Sequence, residues 1–324
     1  MDRGELAIVT SANTGGASTD HPPQASPTPR PLILAPSRAS TKRLIVTADD
    51  FGAAVAVNEA VEEGVRRGVL RAASLMVAGQ GCADAVSRAK RTPELRVGLH
   101  LVLVEGRPTL PPSALPNLVT ADGSFRTDMA MMGADIFFKP SVRRQLAAEI
   151  EAQFNAFAKT GLKLDHVNTH KHYHLHPTIA GLILKIGLRY GMTASRAPVE
   201  PRSVLAAVDP AAAPPPAYVT EPWARMVRAR YRRAGILMAD QVFGLAWSGA
   251  MIPARVGGII SRLPLGLSEL YLHPATSGEF DGAVPGYRYA DELAALLAPE
   301  TGEALRESGA VLGAFSDLAD RPLF

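Results

Sequence analysis

Short apolar runs alternating with helical patterns constrain this chain more than any other feature. Leu44-Ile45-Val46-Thr47-Ala48 is such a run, and it ends in the polar Asp49-Asp50-Phe51-Gly52. Val57, Val61 and Val65 follow at a spacing of four, with Gly68 as a stop signal, which predicts a helix. Ala72 to Val77 reads as a second strand, Ala83 to Arg91 as a second helix, and Arg96 to Leu103 as a third strand. A long Pro- and Gly-containing loop is expected over roughly 105–140. Ser141 to Phe157 is helical, with Leu146, Ile150 and Phe154 on one face. Leu164 to Asn168 is a strand and 178–190 a helix; the alternation weakens, then returns at Leu270 to His273 and Val311 to Phe315. Apolar strands separated by helices imply a parallel sheet covered by those helices. About seven such units over about 280 residues predict an α/β fold, a deformed β/α barrel, rather than a two-layer sheet.

The chain has 324 residues, room for one large domain or two small ones. Residues 1–40 are rich in Ser, Thr, Pro and Gly and read as a disordered leader. Residues 41–324 then form a single domain, with an insertion around 200–240 marked by Ala211-Ala212-Ala213-Pro214-Pro215-Pro216. A formal charge of +3 is too close to neutral over this length to point to nucleic acid. One segment is locally basic, with five arginines between Arg225 and Arg233. It is either a solvated helix face or a surface that meets an anionic membrane or a lipid-linked substrate. No run approaches about 18 apolar residues and no signal pattern opens the chain, so a cytoplasmic protein is expected, with any membrane contact peripheral and on the inner face. Cys82 is the sole cysteine, which excludes an intramolecular disulfide and a Cys-based zinc site. It reads as a small buried residue.

Histidine placement carries the chemistry. Five of eight histidines lie between 166 and 176: His166, His170, His172, His174 and His176. If the run is extended, the four alternate histidines from His170 share a face. A surface tract that binds metal adventitiously is the alternative, but this run follows a buried strand, where a barrel keeps its active site. Crowding of the rings leaves room for one or two of them as ligands. Asp49-Asp50 also ends a strand, and adjacent carboxylates need a compensating cation. One can bind metal while its neighbour faces the substrate. His100, in Gly98-Leu99-His100-Leu101, and His273, in Leu270-Tyr271-Leu272-His273-Pro274, would each read singly as a core histidine. Together, all these groups fall at the carboxyl ends of strands, which meet on one face of a barrel. One carboxylate and two imidazoles leave coordination positions open for water, as in a hydrolytic metal site.

These segments resemble the YdjC-like carbohydrate deacetylases, which include the chitooligosaccharide deacetylases. The resemblance is carried by Thr47-Ala48-Asp49-Asp50-Phe51-Gly52, Gly98-Leu99-His100-Leu101, Asp165 to His172, and Leu272-His273-Pro274, in the family's order. It implies a barrel related to polysaccharide deacetylases and removal of acetyl from an N-acetylated sugar. By the same resemblance Asp50, His100 and His170 match the metal ligands, Asp49 the general base and His273 the general acid. Arg196 falls where the family has a recurrent arginine, with orientation of Asp49 or substrate contact as its implied role. His172, His174 and Phe51 are further candidates for contact with the substrate or support of the site. The segment Ala239 to Met251 is similar to the hopanoid-associated branch, which implies an N-acetylglucosaminyl hopanoid as substrate. One divalent ion is implied. Two imidazoles and a carboxylate favour Zn²⁺ by ligand type, whereas the family has often been described with Mg²⁺.

Two other classes fit the same residues. A different metallohydrolase, such as a phosphoesterase, could use this ligand set. A non-catalytic lipid- or metal-binding protein could too, although mere metal binding needs no Asp49 beside Asp50. A redox enzyme is disfavoured, because no Gly-x-Gly-x-x-Gly follows a strand and there is no cysteine pair.

Overall fold

The computed structural model describes residues 41–210 and 220–319. The expected leader over 1–40 and the Ala/Pro run at 211–216 lie outside the described residues. β1 (Lys42–Phe51) leads to α1 (Val55–Arg67), β2 (Ala72–Leu75) to α2 (Cys82–Arg91), and β3 (Arg96–Leu101) to α3 (Met129–Phe138) and α4 (Pro140–Lys159). β4 (Leu164–Thr169) leads to α5 (Pro177–Arg189), and β5 (Ala194–Ser195) to α6 (Arg202–Val208) and α7 (Glu221–Arg233). β6 (Leu237–Met238), β7 (Gln241–Phe243), α8 (Pro253–Ser261) and β8 (Gly266–Leu272) follow, and then α9 (Tyr289–Leu297), α10 (Pro299–Ser308), β9 (Val311–Leu312) and α11 (Phe315–Leu318).

All the strand pairings are parallel. The sheet order is β6-β5-β4-β3-β2-β1-β8-β7, with β9 beside β1. The two ends of that path are successive parts of one chain segment. Leu237 pairs with Ala194 of β5, and Gln241 pairs with Ser268 of β8. The segment therefore leaves one edge of the sheet and joins the other, which turns the sheet into a deformed barrel. β9 uses the start of β1, at Arg43 and Leu44, on the edge that β2 takes over from Thr47 onward.

The period of two along each strand sorts residues between two environments. In β1, Leu44, Val46 and Ala48 join the large apolar core beneath the helices. Ile45 instead joins a small cluster with Ala72, Ala194, Leu267 and Phe315. Thr47 and Asp49 continue the Ile45 side, so the barrel interior changes from apolar to polar along the strand. In β8 the same alternation gives Leu267, Glu269 and Tyr271. Layers of inward side chains are how such a barrel fills its centre. Gly98 belongs to one of these layers, and the His166 ring occupies the space its side chain would need. A Cβ on Gly98 would lie 2.5 Å from that ring. His166 stacks on Phe315 at 4.7 Å and bonds Asp165 at 2.9 Å, which makes it a core histidine apart from the others in its cluster.

Three local expectations change. The stretch read as a loop over 105–140 contains α3, whose sequence Met-Ala-Met-Met-Gly-Ala-Asp-Ile-Phe-Phe is apolar on nearly every side and so shows no amphipathic period. The last strand shortens to Val311–Leu312, because Phe315 begins α11 and turns into the barrel. Cys82 is half-buried at the start of α2, and burial raises its thiol pKa. No helix among the described residues is long and apolar enough to cross a membrane. Gly98→Ala should overpack the interior and cost about 1–3 kcal/mol in urea unfolding, relative to wild type.

Candidate active site

The end of β1 sets the site. In a regular strand Asp49 and Asp50 would point to opposite faces. Here the register with β2 shifts between Ala48 and Phe51, and Asp50 takes a φ of 61°. That left-handed conformation is strained for a residue other than glycine, and strain of this kind collects at functional sites. It turns the Asp50 carboxylate back toward the mouth that Asp49 faces. Gly52 follows at φ 91°, and its N–H donates to the buried Asn58 side chain at 2.8 Å, which fixes the chain as it leaves the strand.

Asp50, His100 and His170 form the one group of metal-capable side chains found among the described residues. His100 Nε2 lies 3.2 Å and His170 Nδ1 3.3 Å from Asp50 Oδ1. Ligands held about 2.1 Å from one tetrahedral ion would be about 3.4 Å apart, so this spacing fits a shared ion. Asp50 Oδ1 and His100 Nε2 are buried and have no hydrogen-bond partner. Buried polar atoms are rarely left so, and a cation between them would satisfy both. The His100 tautomer agrees. Its Nδ1 is 2.7 Å from Asn168 Oδ1, an acceptor, so Nδ1 carries the proton and Nε2 presents its lone pair. Before an ion binds, a proton on His100 Nε2 can take its place: burial would raise the Asp50 pKa, but the two imidazoles outweigh it and hold the carboxyl well below the usual range, while burial would lower the His100 pKa and Asp50 and Asp49 raise it.

Asp49 sits in a different field. Arg196, which has no solvent exposure, reaches Asp49 Oδ2 from Nη1 at 2.5 Å and Oδ1 from Nη2 at 3.0 Å. The same guanidinium donates to Glu269 Oε1 from Nε at 3.0 Å and from Nη2 at 2.8 Å. Ser74 Oγ and Asn168 Nδ2 also donate to Asp49 Oδ1. Burial pushes the Asp49 pKa up, but Arg196, with help from His100 and His273, carries it well below the ordinary value. Asp49 is therefore an ionised carboxylate fixed by four donors, with Oδ2 the less encumbered oxygen.

The rest of the histidine run is not an extended strand. His170–Leu175 is a short 3-10 segment kinked by left-handed Lys171 (φ 53°) and His172 (φ 52°). The rings therefore go to separate places, which corrects the expectation of one shared face. His172 Nε2 is 2.9 Å from Tyr271 Oη. His174 is buried with both ring nitrogens engaged, by Thr169 Oγ1 at 2.6 Å and the Arg196 carbonyl at 2.7 Å. Burial lowers its pKa to about 4, so it is a neutral brace for the Arg196 backbone. Phe51 is fully buried in the larger core, so its side chain offers no surface to a substrate. His273 lies at the end of β8, where its N–H donates to Glu292 and its ring faces Tyr287 at a centroid distance of 5.3 Å.

The model of YdjC-like proteins matches residues 43–307. The chain belongs to the YdjC-like family. A carbohydrate deacetylase from Brevibacillus brevis is 40% identical over 148 residues, which is 46% of this chain and 56% of that protein. One from Mus musculus is 31% identical over 299 residues, covering 85% of this chain and 94% of that one. The chain spans only 56–62% of the length of the first three bacterial relatives. A solved structure described as a cellobiose-phosphate cleavage protein from Enterococcus faecalis superposes with a TM-score of 0.68 at 23% identity, over 87% of this chain and all of that one, and so shares the fold.

Several residues of this YdjC-like site escape sequence reasoning. Glu269 had a usable signal, since an acid inside an apolar strand demands a partner. Ser74, Tyr271 and Glu292 had none, because their partners come from distant strands and loops. Glu200 also went unnoticed. Its carboxylate accepts from the N–H groups of Gly244 and Ala246, both at 2.9 Å, and burial raises its pKa to about 7. The basic segment is the helix α7, and four of its arginines are tied to the protein. Arg225 bonds Glu221, Arg228 the Asp240 carbonyl, Arg230 the Pro177 carbonyl, and Arg232 the Asp240 side chain.

Two predictions follow from this geometry. Asn168→Ala frees the Nδ1 proton of His100 and should weaken binding of one divalent ion by about 10–100-fold in a calorimetric titration. Glu200 has a folded pKa raised from 4.5 to about 7, so its contribution to stability is full below 4.5 and is lost as pH rises through 7. Urea unfolding at pH 5 and pH 8 should therefore show wild type losing about 3 kcal/mol relative to Glu200→Gln across that interval.

Proposed function

We propose that this chain is a metal-dependent hydrolase that removes acetyl from an N-acetylated amino sugar, with residues 41–324 as its catalytic domain. The observation that carries the proposal is the Asp50–His100–His170 group beside a separately held, ionised Asp49. A site that only stored metal would need no second carboxylate at its edge. Family membership and the names of the relatives point the same way.

Asp50, His100 and His170 would hold the ion. When bound, a divalent ion there supplies Lewis acidity toward the amide oxygen and makes water a better nucleophile. Two imidazoles and a carboxylate suit Zn²⁺ or a similar transition ion better than Mg²⁺. Asp49 takes a proton from the water whose oxygen attacks the amide carbon. Arg196 keeps that carboxylate ionised and aimed, and Glu269 fixes Arg196 from its other side. The C–N bond then breaks, and His273 gives a proton to the departing amine. The products are acetate and a free amino sugar.

The finer reading is an N-acetylglucosaminyl hopanoid as substrate, supported by the similarity of Ala239 to Met251 to that branch of the family. A soluble chitooligosaccharide is the other candidate. Mass spectrometry of both compounds after incubation with metal-loaded protein separates them. Acetyl loss from the lipid alone supports the hopanoid, loss from the soluble sugar alone removes it, and loss from neither sinks the deacetylase. Asp49→Asn should keep its metal yet lose about 10²–10⁴-fold in turnover. Near wild-type turnover in that variant would take Asp49 out of the proton transfer.

A further inference from the structure

Among the described residues, four other than glycine have a left-handed backbone: Asp50, Glu105, Lys171 and His172. Asp50 belongs to the end of β1, Glu105 follows β3, and Lys171 and His172 follow β4. All four stand at the strand ends that carry the candidate ligands. Strain of this kind persists only where the surroundings over-determine it. For two of the four the fixing contact is mutual, because Lys171 Nζ forms an ion pair with Glu105 Oε2.

The Glu105 end of that pair is anchored. Val102, Leu103 and Val104 before it are buried. Gln153 on α4 accepts from the Val102 N–H at 3.0 Å and donates to the Val102 carbonyl at 2.7 Å. Glu149, one turn earlier on α4, accepts from the N–H groups of Thr109 and Leu110 at 2.8 and 2.9 Å. Both α4 side chains are buried, so the loop is gripped on each side of Glu105. The Lys171 end is held less. Lys171 is the residue after His170, and among the described residues the His170 ring has no polar partner other than Asp50. His100 differs, since Asn168 fixes its ring. The direction of the His170 ring is therefore left to its backbone, and the next residue of that backbone is tied to Glu105.

We propose that the Glu105–Lys171 ion pair is a positioning device for His170, holding the kinked turn after β4 so that the imidazole faces Asp50 and His100. The proposal rests on the reading of Asp50, His100 and His170 as ligands of one divalent ion. Neither Glu105 nor Lys171 belongs to that group. The pair acts by fixing one conformer of the turn before an ion arrives, which removes the cost of ordering it on binding.

The test is calorimetric titration of metal-free, full-length protein with Zn²⁺. Glu105→Gln and Lys171→Met should each weaken binding about three- to fivefold, the strength of a partly exposed ion pair. The double variant should bind no more weakly than either single one, since the second change has nothing left to break. Lys171→Arg keeps the cation and should bind as wild type does. Each side chain is about one-third exposed, at 35% and 34%, so the fold tolerates the changes. The signs separate positioning from charge alone. A cation beside the site repels the ion and an anion attracts it, so charge alone would make Lys171→Met bind more tightly and Glu105→Gln more weakly. Opposite signs, additive losses, or unchanged affinity in both single variants overturn the proposal. His170→Ala judges the underlying reading separately. Wild type that binds no Zn²⁺, or binding that survives His170→Ala intact, removes the ligand group and overturns the proposal with it.

Discussion

A guanidinium without solvent contact stands between two carboxylates at the polar end of the barrel, and the site is arranged around it. Arg196 meets Asp49 and Glu269 from positions 147 and 73 residues away in the chain. Stripping these ions of water costs several kcal/mol each, and only close geometry with full hydrogen bonding offsets that cost. The surroundings supply most of it, with Glu269 Oε2 left buried and unpartnered. Thr47 donates to Glu269, Ser74 and Asn168 donate to Asp49, and His174 grips the Arg196 carbonyl. Each contact also limits movement. A carboxylate bound by four donors is fixed in orientation and ionised at rest, which is what the proposed base needs before it takes a proton.

Asn168 joins this cluster to the candidate metal group. Its amide nitrogen donates to Asp49, and its oxygen accepts from His100. One side chain thus orients both the carboxylate and the imidazole whose lone pair faces Asp50. The strain at Asp50 acts in the same direction. Without the left-handed turn, two adjacent aspartates would serve opposite faces of the strand; with it, they serve one mouth in two environments. Asp50 answers to imidazoles and Asp49 to a guanidinium, which separates a candidate ligand position from the proposed base at neighbouring residues.

Much of the fold was legible because it repeats a local rule. Apolar runs marked the strands, and spacings of three and four marked the helices, since each reports a face that must be buried. α3 escaped that rule because its apolar residues surround the helix, and the same property leaves Phe137 and Phe138 exposed. His100, His170 and His273 stood out as polar residues ending apolar strands. Glu269 and Tyr271 were harder to read, because a strand that closes a barrel offers one face to the interior and its sequence does not say which.

The sequence by itself determined the first four strands with the helices α1, α2, α4 and α5, the family, and the polar residues at strand ends. These depend on periodicity and on residue types within a few positions of one another. Tertiary structure alone decided that His166 and His174 brace the barrel, that His172 turns to Tyr271, and that Arg196, expected beside Asp49, also holds Glu269. The reason is physical. Ring orientation, ion pairing and cavity shape depend on where distant strands come together as the barrel closes, and on the backbone turns at Asp50 and His172, which no local pattern of residues reveals.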